Sequence, residues 1–270
     1  IHLWVEATWE VFVGAIAAYG LITMIGAHRK VVEMWLWIEV SMLFGSGILG
    51  LGHHYFWIGT PEYWWEIGAL FSALEPLPLV AMFVHVLYDW GKETGLQMAE
   101  GYEGHAIDGH TVTNKPAFTW FVMNAFGNFL GAGVWGFFHT LPQVNLYTHG
   151  TQFTAAHGHL AFFGAYATIL IGMFYLAIQG TNGIKVMRST KLSIWSTSLI
   201  ALGMLGMTAA LTIAGYVQVI VSRAQLGATW AGYFDGQSGP WFTQAMDWRL
   251  IMGVVVFTGF ILLVIDLLTT

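Results

Sequence analysis

Apolar runs alternate with short polar breaks along the whole chain. A helix that crosses the ~30 Å hydrocarbon layer needs roughly 20 apolar residues. Seven stretches reach that length, at about 2–26, 32–57, 64–89, 117–139, 153–179, 193–221 and 247–268. Ala27-His28-Arg29-Lys30 is a short basic break and Gly59-Thr60-Pro61-Glu62 reads as a turn. Residues 90–116 read as a long polar loop, and Gln143 to Gly150 as the connection between the fourth and fifth spans. A basic loop opens at Gly180-Thr181-Asn182-Gly183, and Ala224 to Pro240 is Gly-rich and neutral. The pattern predicts an all-α, polytopic transmembrane helix bundle of about seven spans, forming a single membrane domain over 1–270. The chain begins at Ile1 without a signal-peptide pattern and reads as a fragment of a longer polypeptide.

Composition sharpens this picture. Hydrophobic residues make up 56% of the chain and charged residues only 9%, where a soluble domain carries about 25%. Positive charge falls on one side: Arg29, Lys30, Lys92, Lys115, Lys185, Arg188 and Lys191 share a face, and only Arg223 and Arg249 lie on the other. The first face is therefore expected to be cytoplasmic. Trp57, Trp64, Trp90 and Trp241, near span ends, fit an interfacial belt. The net charge of −6 comes with no basic patch, so nucleic acid is not an expected partner. Cysteine is absent, which excludes disulfides, thiolate zinc sites, iron–sulfur clusters and covalently attached haem c. A redox metal would have to be held by histidine, methionine, tyrosine or carboxylate.

Ionisable groups inside membrane spans are costly, about 2.5–3.5 kcal/mol on insertion scales, and so mark function. His2, Glu6 and Glu10 recur every four residues on the first span and point the same way. His53 and His54 are adjacent at the outer end of the second span. Neighbours on a helix diverge by about 100°, so binding one metal requires a distorted helix end there. The fifth span carries His157-Gly158-His159. Residues two apart diverge by about 200°, so these imidazoles suit two different haems, one on either side of the helix. All five histidines lie toward the same membrane face, which argues for one shared site. His28, His105 and His110 fall in polar breaks and are expected to be solvated, while His85 and His139 near span ends are expected to pack. His149, just before the fifth span, lies where a haem propionate could sit. The methionines read as apolar filler. Gly45-Ser46-Gly47-Ile48-Leu49-Gly50 matches a dinucleotide fingerprint, but it lies inside an apolar helix with no preceding strand and reads as helix packing.

These residues also carry a resemblance. His2-Leu-Trp-Val-Glu6, Gly52-His-His-Tyr-Phe-Trp-Ile-Gly59, Pro61-Glu-Tyr-Trp64, Phe71-Ser-Ala-Leu-Glu-Pro-Leu-Pro78 and His157-Gly-His-Leu-Ala-Phe-Phe-Gly164 resemble the large subunit of cytochrome c-type nitric oxide reductases, in the haem-copper oxidase superfamily. The likeness is spread over 1–180, and 181–270 share only hydropathy. The resemblance implies a twelve-helix fold of which this chain supplies the C-terminal seven spans, in a bacterial inner membrane with the site toward the periplasm. It implies His157 as the ligand of a high-spin haem b3 and His159 as that of a low-spin haem b, with the second haem b ligand on an early span not included here. It implies His2, His53, His54 and Glu6 as ligands of a non-haem iron, with Glu10 and Glu75 as carboxylates beside it. Oxidases of the superfamily carry a cross-linked tyrosine where Glu6 stands. A hard carboxylate beside three imidazoles shifts preference from copper toward iron. Glu75 is followed by Pro76 and Pro78, whose missing N–H groups loosen the helix near it.

The expected reaction joins two NO with two electrons and two protons to give N2O and water. The expected electron source is a haem c-containing subunit. Alternatives are a quinol-fed nitric oxide reductase, a nitric oxide dismutase-like relative, an oxygen-reducing terminal oxidase, a structural haem-binding subunit, or a proton or cation transporter with a histidine relay. Glu62, Glu66 and Glu10 line the expected outward proton route, and Glu39 is the sole serious inward candidate. Protons are accordingly expected from the non-cytoplasmic side. The 90–116 loop, with Glu93, Glu100, Glu103 and Asp108, is longer than the family leads one to expect, and no role is assigned to it.

Overall fold

A computed structural model describes residues 2–99, 112–221 and 239–270. Seven helices in it are long and apolar enough to cross a membrane. They are α1 (His2–Ile25), α2 (Arg29–His54), α3 (Tyr63–Leu74 continuing as Leu77–Ala99), α4 (Lys115–Thr140), α6 (Gln152–Thr181), α7 (Lys191–Val219) and α8 (Pro240–Thr269). A short helix α5 (Pro142–Thr148) lies between α4 and α6. Among the described residues there is no strand, only an isolated bridge between Asn114 and Met187.

Several boundaries differ from the hydropathy reading. Residues 90–99, expected in the polar loop, continue the second half of α3; the rest of that loop lies outside the described residues, as do His105, His110 and most of 224–240. The connection from Gln143 is helical rather than loop, because Pro142 sits in the first turn of α5, where its missing N–H costs nothing. The last span starts at Pro240, seven residues before the apolar run. At the other end, α2 is α-helical only to Leu49, and Gly50–His54 tightens into a 3₁₀ turn.

Neighbouring spans pack in sequence order, α1 on α2 and α2 on α3, with α4 touching α1, α3 and α6; α7 bridges α6 and α8. The dry core lies at the basic face. It joins Leu21, Met24 and Ile25 of α1, Met82, Phe83 and Val86 of α3, Trp120 and Phe121 of α4, and Tyr175 of α6. Helix starts on this face are capped: Asn114 accepts from the Ala117 N–H at 3.0 Å and Thr190 from the Ser193 N–H at 2.9 Å. Such caps contribute about 1 kcal/mol each. The buried Asp266 carboxylate ties α8 down, accepting from the Tyr175 hydroxyl at 2.7 Å and from the Thr190 hydroxyl.

Toward the opposite face the helices are irregular. Val5–Trp9 in α1, Phe129–Trp135 in α4 and Phe163–Ala167 in α6 are π-helical turns. A π-turn shifts the ladder and frees carbonyls for other donors. In α6 the freed Gly164 and Ala165 carbonyls accept from Asn124 at 2.9 and 2.7 Å, which fixes α4 against α6.

Candidate metal centre

The irregular turns surround a cavity of about 370 Å³. Its lining includes the imidazoles of His2, His53, His54, His139, His149 and His157 and the carboxyls of Glu6, Glu10 and Glu75. The four-residue spacing on α1 thus delivers all three of its polar side chains to one space.

His2, Glu6, His53 and His54 converge. Their ligand atoms lie within 4.8 Å of one another and could hold a metal ion. His2 Nδ1 is 2.8 Å from Glu6 Oε1 and 3.0 Å from His54 Nε2. Four donors bound at roughly 2.0–2.2 Å from one ion stand at comparable mutual distances. At the end of the 3₁₀ turn the His53 and His54 rings stand at a centroid distance of 4.1 Å. Gly52 and Gly68 allow the turn to press on α3: a Cβ at Gly68 would collide with the His53 backbone nitrogen, and one at Gly52 with the Trp64 carbonyl.

Two of the three imidazoles in the cluster have their other nitrogen anchored. His2 Nε2 meets the Ser46 carbonyl at 3.2 Å, and His53 Nδ1 pairs with the Ser72 hydroxyl at 2.8 Å. His157 Nδ1 donates to Gly131 O at 2.8 Å, a carbonyl within the π-turn of α4. Its Nε2 is left for the cavity. His159 Nδ1 donates to Ala155 O at 2.7 Å, and this exposed ring stands outside the cavity. Outer partners of this kind set the tautomer and orientation of metal-binding histidines. Around His157 the walls are Ala132, Gly136, Gly158 and Ala161. A Cβ at Gly136 would approach His157 Cε1 to 3.2 Å, so the ring packs closely against α4 there.

Glu75 sits at the break in α3, where Pro76 interrupts the helix. It accepts from the Ser46 hydroxyl at 2.7 Å, and its carboxyl lies within hydrogen-bonding reach of Glu6 and Glu10. Glu6 Oε2 and Glu75 Oε1 are buried without a hydrogen-bond partner among the described residues. Ionised carboxylates only accept hydrogen bonds, so a cluster this close is satisfied by shared protons or by a metal.

His139, which its place near a span end predicts to pack, instead joins the cavity wall. Its ring lies 5.3 Å from that of His157, and its Nε2 is buried without a partner among the described residues. The extended Leu141 turns the chain after α4 and brings this helix end against α6, a contact between helices that spacing within one helix does not reveal. His85 does pack, accepting from the Trp35 indole at 3.0 Å. His149 lines the cavity from an exposed position after α5.

Fold and site together define a multi-pass membrane protein whose helices enclose a histidine- and carboxylate-lined cavity fit for a metal. Residues 1–260 match the family described as cytochrome c and quinol oxidase polypeptide I, and the chain belongs to that family. It is similar to a nitric oxide reductase subunit of Stutzerimonas stutzeri, with 42% identity over 226 residues that cover 83% of this chain and 44% of the relative. The chain thus spans less than half the length of that relative.

Proposed function

We propose that this chain carries the catalytic centre of a nitric oxide reductase, joining two NO with two electrons and two protons to form N2O and water. The observation that carries the reading is Glu6: its carboxylate lies 2.8 Å from His2 Nδ1, inside the three-histidine cluster. A set of three imidazoles and one hard oxygen suits iron rather than copper. Support also comes from the 42% identity to a nitric oxide reductase subunit.

In this reading His2, His53, His54 and Glu6 hold a non-haem iron. His157 would hold a high-spin haem b3, and His159 would hold a low-spin haem b. The bound irons supply the electrons and the sites where NO is taken up. The chain's own residues do the rest. Anchoring of His157 to Gly131 O and of His53 to Ser72 fixes the two faces of the cavity. Glu75 and Glu10, both buried, hold protons beside the cluster for the oxygen that leaves as water. His149 and His139 offer N–H donors to haem propionates. His159 is exposed; a segment beyond the described helices would give its haem a second ligand, and a haem c-containing subunit would deliver the electrons.

Glu6→Gln tests the reading. The variant should keep both haem spectra and lose NO consumption by at least about a hundredfold, the usual scale for a positioned acid–base or ligand group. Full non-haem iron together with normal turnover in Glu6→Gln would overturn it.

A further inference from the structure

Among the described residues, Trp57 is the one residue other than glycine with a positive φ, at 66°. A bulky side chain rarely adopts this left-handed conformation, and where it does the surrounding structure imposes it. Trp57 stands three residues after His54, just beyond the 3₁₀ turn that ends α2. A tryptophan of the interfacial belt, the role its place near a span end predicts, leaves its indole N–H to the headgroup region. Here the N–H is turned back into the protein and donates to the Asn145 side-chain oxygen at 2.8 Å.

Asn145 is the meeting point of several site residues. It lies on α5, is 5% exposed and lines the cavity. Its side-chain N–H donates to the His139 carbonyl at 2.9 Å, and its own carbonyl accepts the His149 backbone N–H at 2.9 Å. The His139 ring in turn lies 5.3 Å from that of His157. The indole of Trp57 thus joins the turn carrying His53 and His54 to the wall carrying His139, His149 and His157. On the Trp57 side the chain is firm. The Thr60 hydroxyl donates to the Tyr55 carbonyl at 3.0 Å, the Trp65 indole donates to that hydroxyl at 3.1 Å, and the Trp57 and Trp65 rings lie 5.6 Å apart. A displacement of Trp57 is therefore passed on to His54 rather than absorbed by a slack loop.

We propose that Trp57 is a positioning residue for the reaction: through Asn145, its indole fixes how the two histidine-bearing sides of the cavity stand to one another. The left-handed backbone is what aims the N–H at Asn145 instead of at the membrane surface. The inference rests on the reductase reading for the reaction that needs this spacing. Joining two NO requires both to be held in register, and a misplacement of about 1 Å lowers a rate by as much as about a hundredfold. Trp57 acts through Asn145 and the turn, not on the substrate.

The test uses the intact enzyme, with its partner subunits and cofactors, and carbon monoxide bound to the reduced protein as the probe. The C–O stretch responds to the groups that face the bound gas. Trp57→Phe keeps an aromatic ring and deletes the N–H. It should retain wild-type haem and iron content while its kcat per loaded centre falls roughly tenfold to a hundredfold. Its C–O band should be displaced or split relative to wild type. Asn145→Leu should change the same band, and the double variant should fall short of the sum of the two, because both remove one hydrogen bond. Trp65→Phe deletes an indole hydrogen bond that stays within the turn, and should leave the band and the rate as in wild type. An unchanged C–O band in Trp57→Phe, fully additive effects in the double variant, or the same change in Trp65→Phe overturns the proposal. Either single variant at the Trp57–Asn145 bond decides the matter if the other does not assemble. If the wild type consumes no NO, the reductase reading fails by itself, and the C–O band still decides the role of Trp57.

Discussion

The two ends of the same helices are built differently. At the basic face α1, α3, α4 and α6 are regular and interlock Leu21, Phe83, Trp120, Phe121 and Tyr175 with no polar gap between them. Toward the opposite face the same helices contain the π-turns at Val5–Trp9, Phe129–Trp135 and Phe163–Ala167, and α2 and α3 contain a 3₁₀ turn and a proline break. Three of these irregularities lie beside side chains of the site. The α4 π-turn contains the carbonyl that anchors His157, the 3₁₀ turn joins His53 to His54, and the break at Pro76 leaves Glu75 beside α1. Glu6, His53 and His54 lie in the irregular turns, whereas His2, His157 and His159 sit on α-helical turns.

Substitutions at the two ends should therefore fail in different ways. The largest effect is expected from the pair Trp120→Ala and His157→Ala. Removing the fully buried Trp120 should cost about 3–5 kcal/mol of stability, seen as a fall in thermal midpoint, while the protein that remains folded keeps its haem spectrum. Removing His157 should abolish the high-spin haem signal with little change in unfolding of the apo chain. If both variants lost stability alike, the two ends would not be separate in function. A smaller effect is expected at Ser72, whose hydroxyl pairs with His53 Nδ1 at 2.8 Å. Ser72→Ala should weaken retention of the non-haem metal by about 10–100-fold, the usual range for an outer partner of a metal-binding histidine, as measured by titration with a chelator. Unchanged metal retention would show that the 3₁₀ turn alone orients His53.

The regular end was readable in the sequence because hydropathy and positive charge act over whole spans. All seven spans appear, and the departures lie at their edges: the helix through 90–99, the helical start at Pro240, and the short α5. Part of the irregular end was also readable. Periodicity put His2, Glu6 and Glu10 on one stripe, adjacency at His53-His54 required a distorted turn, and two prolines marked the break at Glu75. The rest depends on which helix lies against which. His139 reaches the cavity because α4 ends against α6, and Glu39 reaches Gly14 because α2 crosses α1 at that level. The π-turns have no residue signature of their own; a one-residue shift of the ladder is set by the side chains that need its carbonyls.

In the reductase reading, α6 presents two haems to opposite sides, with a histidine–carboxylate iron facing the inner one. The most direct measurement is a haem and iron count, with optical spectra, on the intact protein and on His157→Ala and His159→Ala. Two haems b and a non-haem iron are expected in the wild type, with loss of the high-spin haem alone in His157→Ala and of the low-spin haem alone in His159→Ala. A wild-type protein without non-haem iron, or two variants that lose the same haem, would contradict that reading.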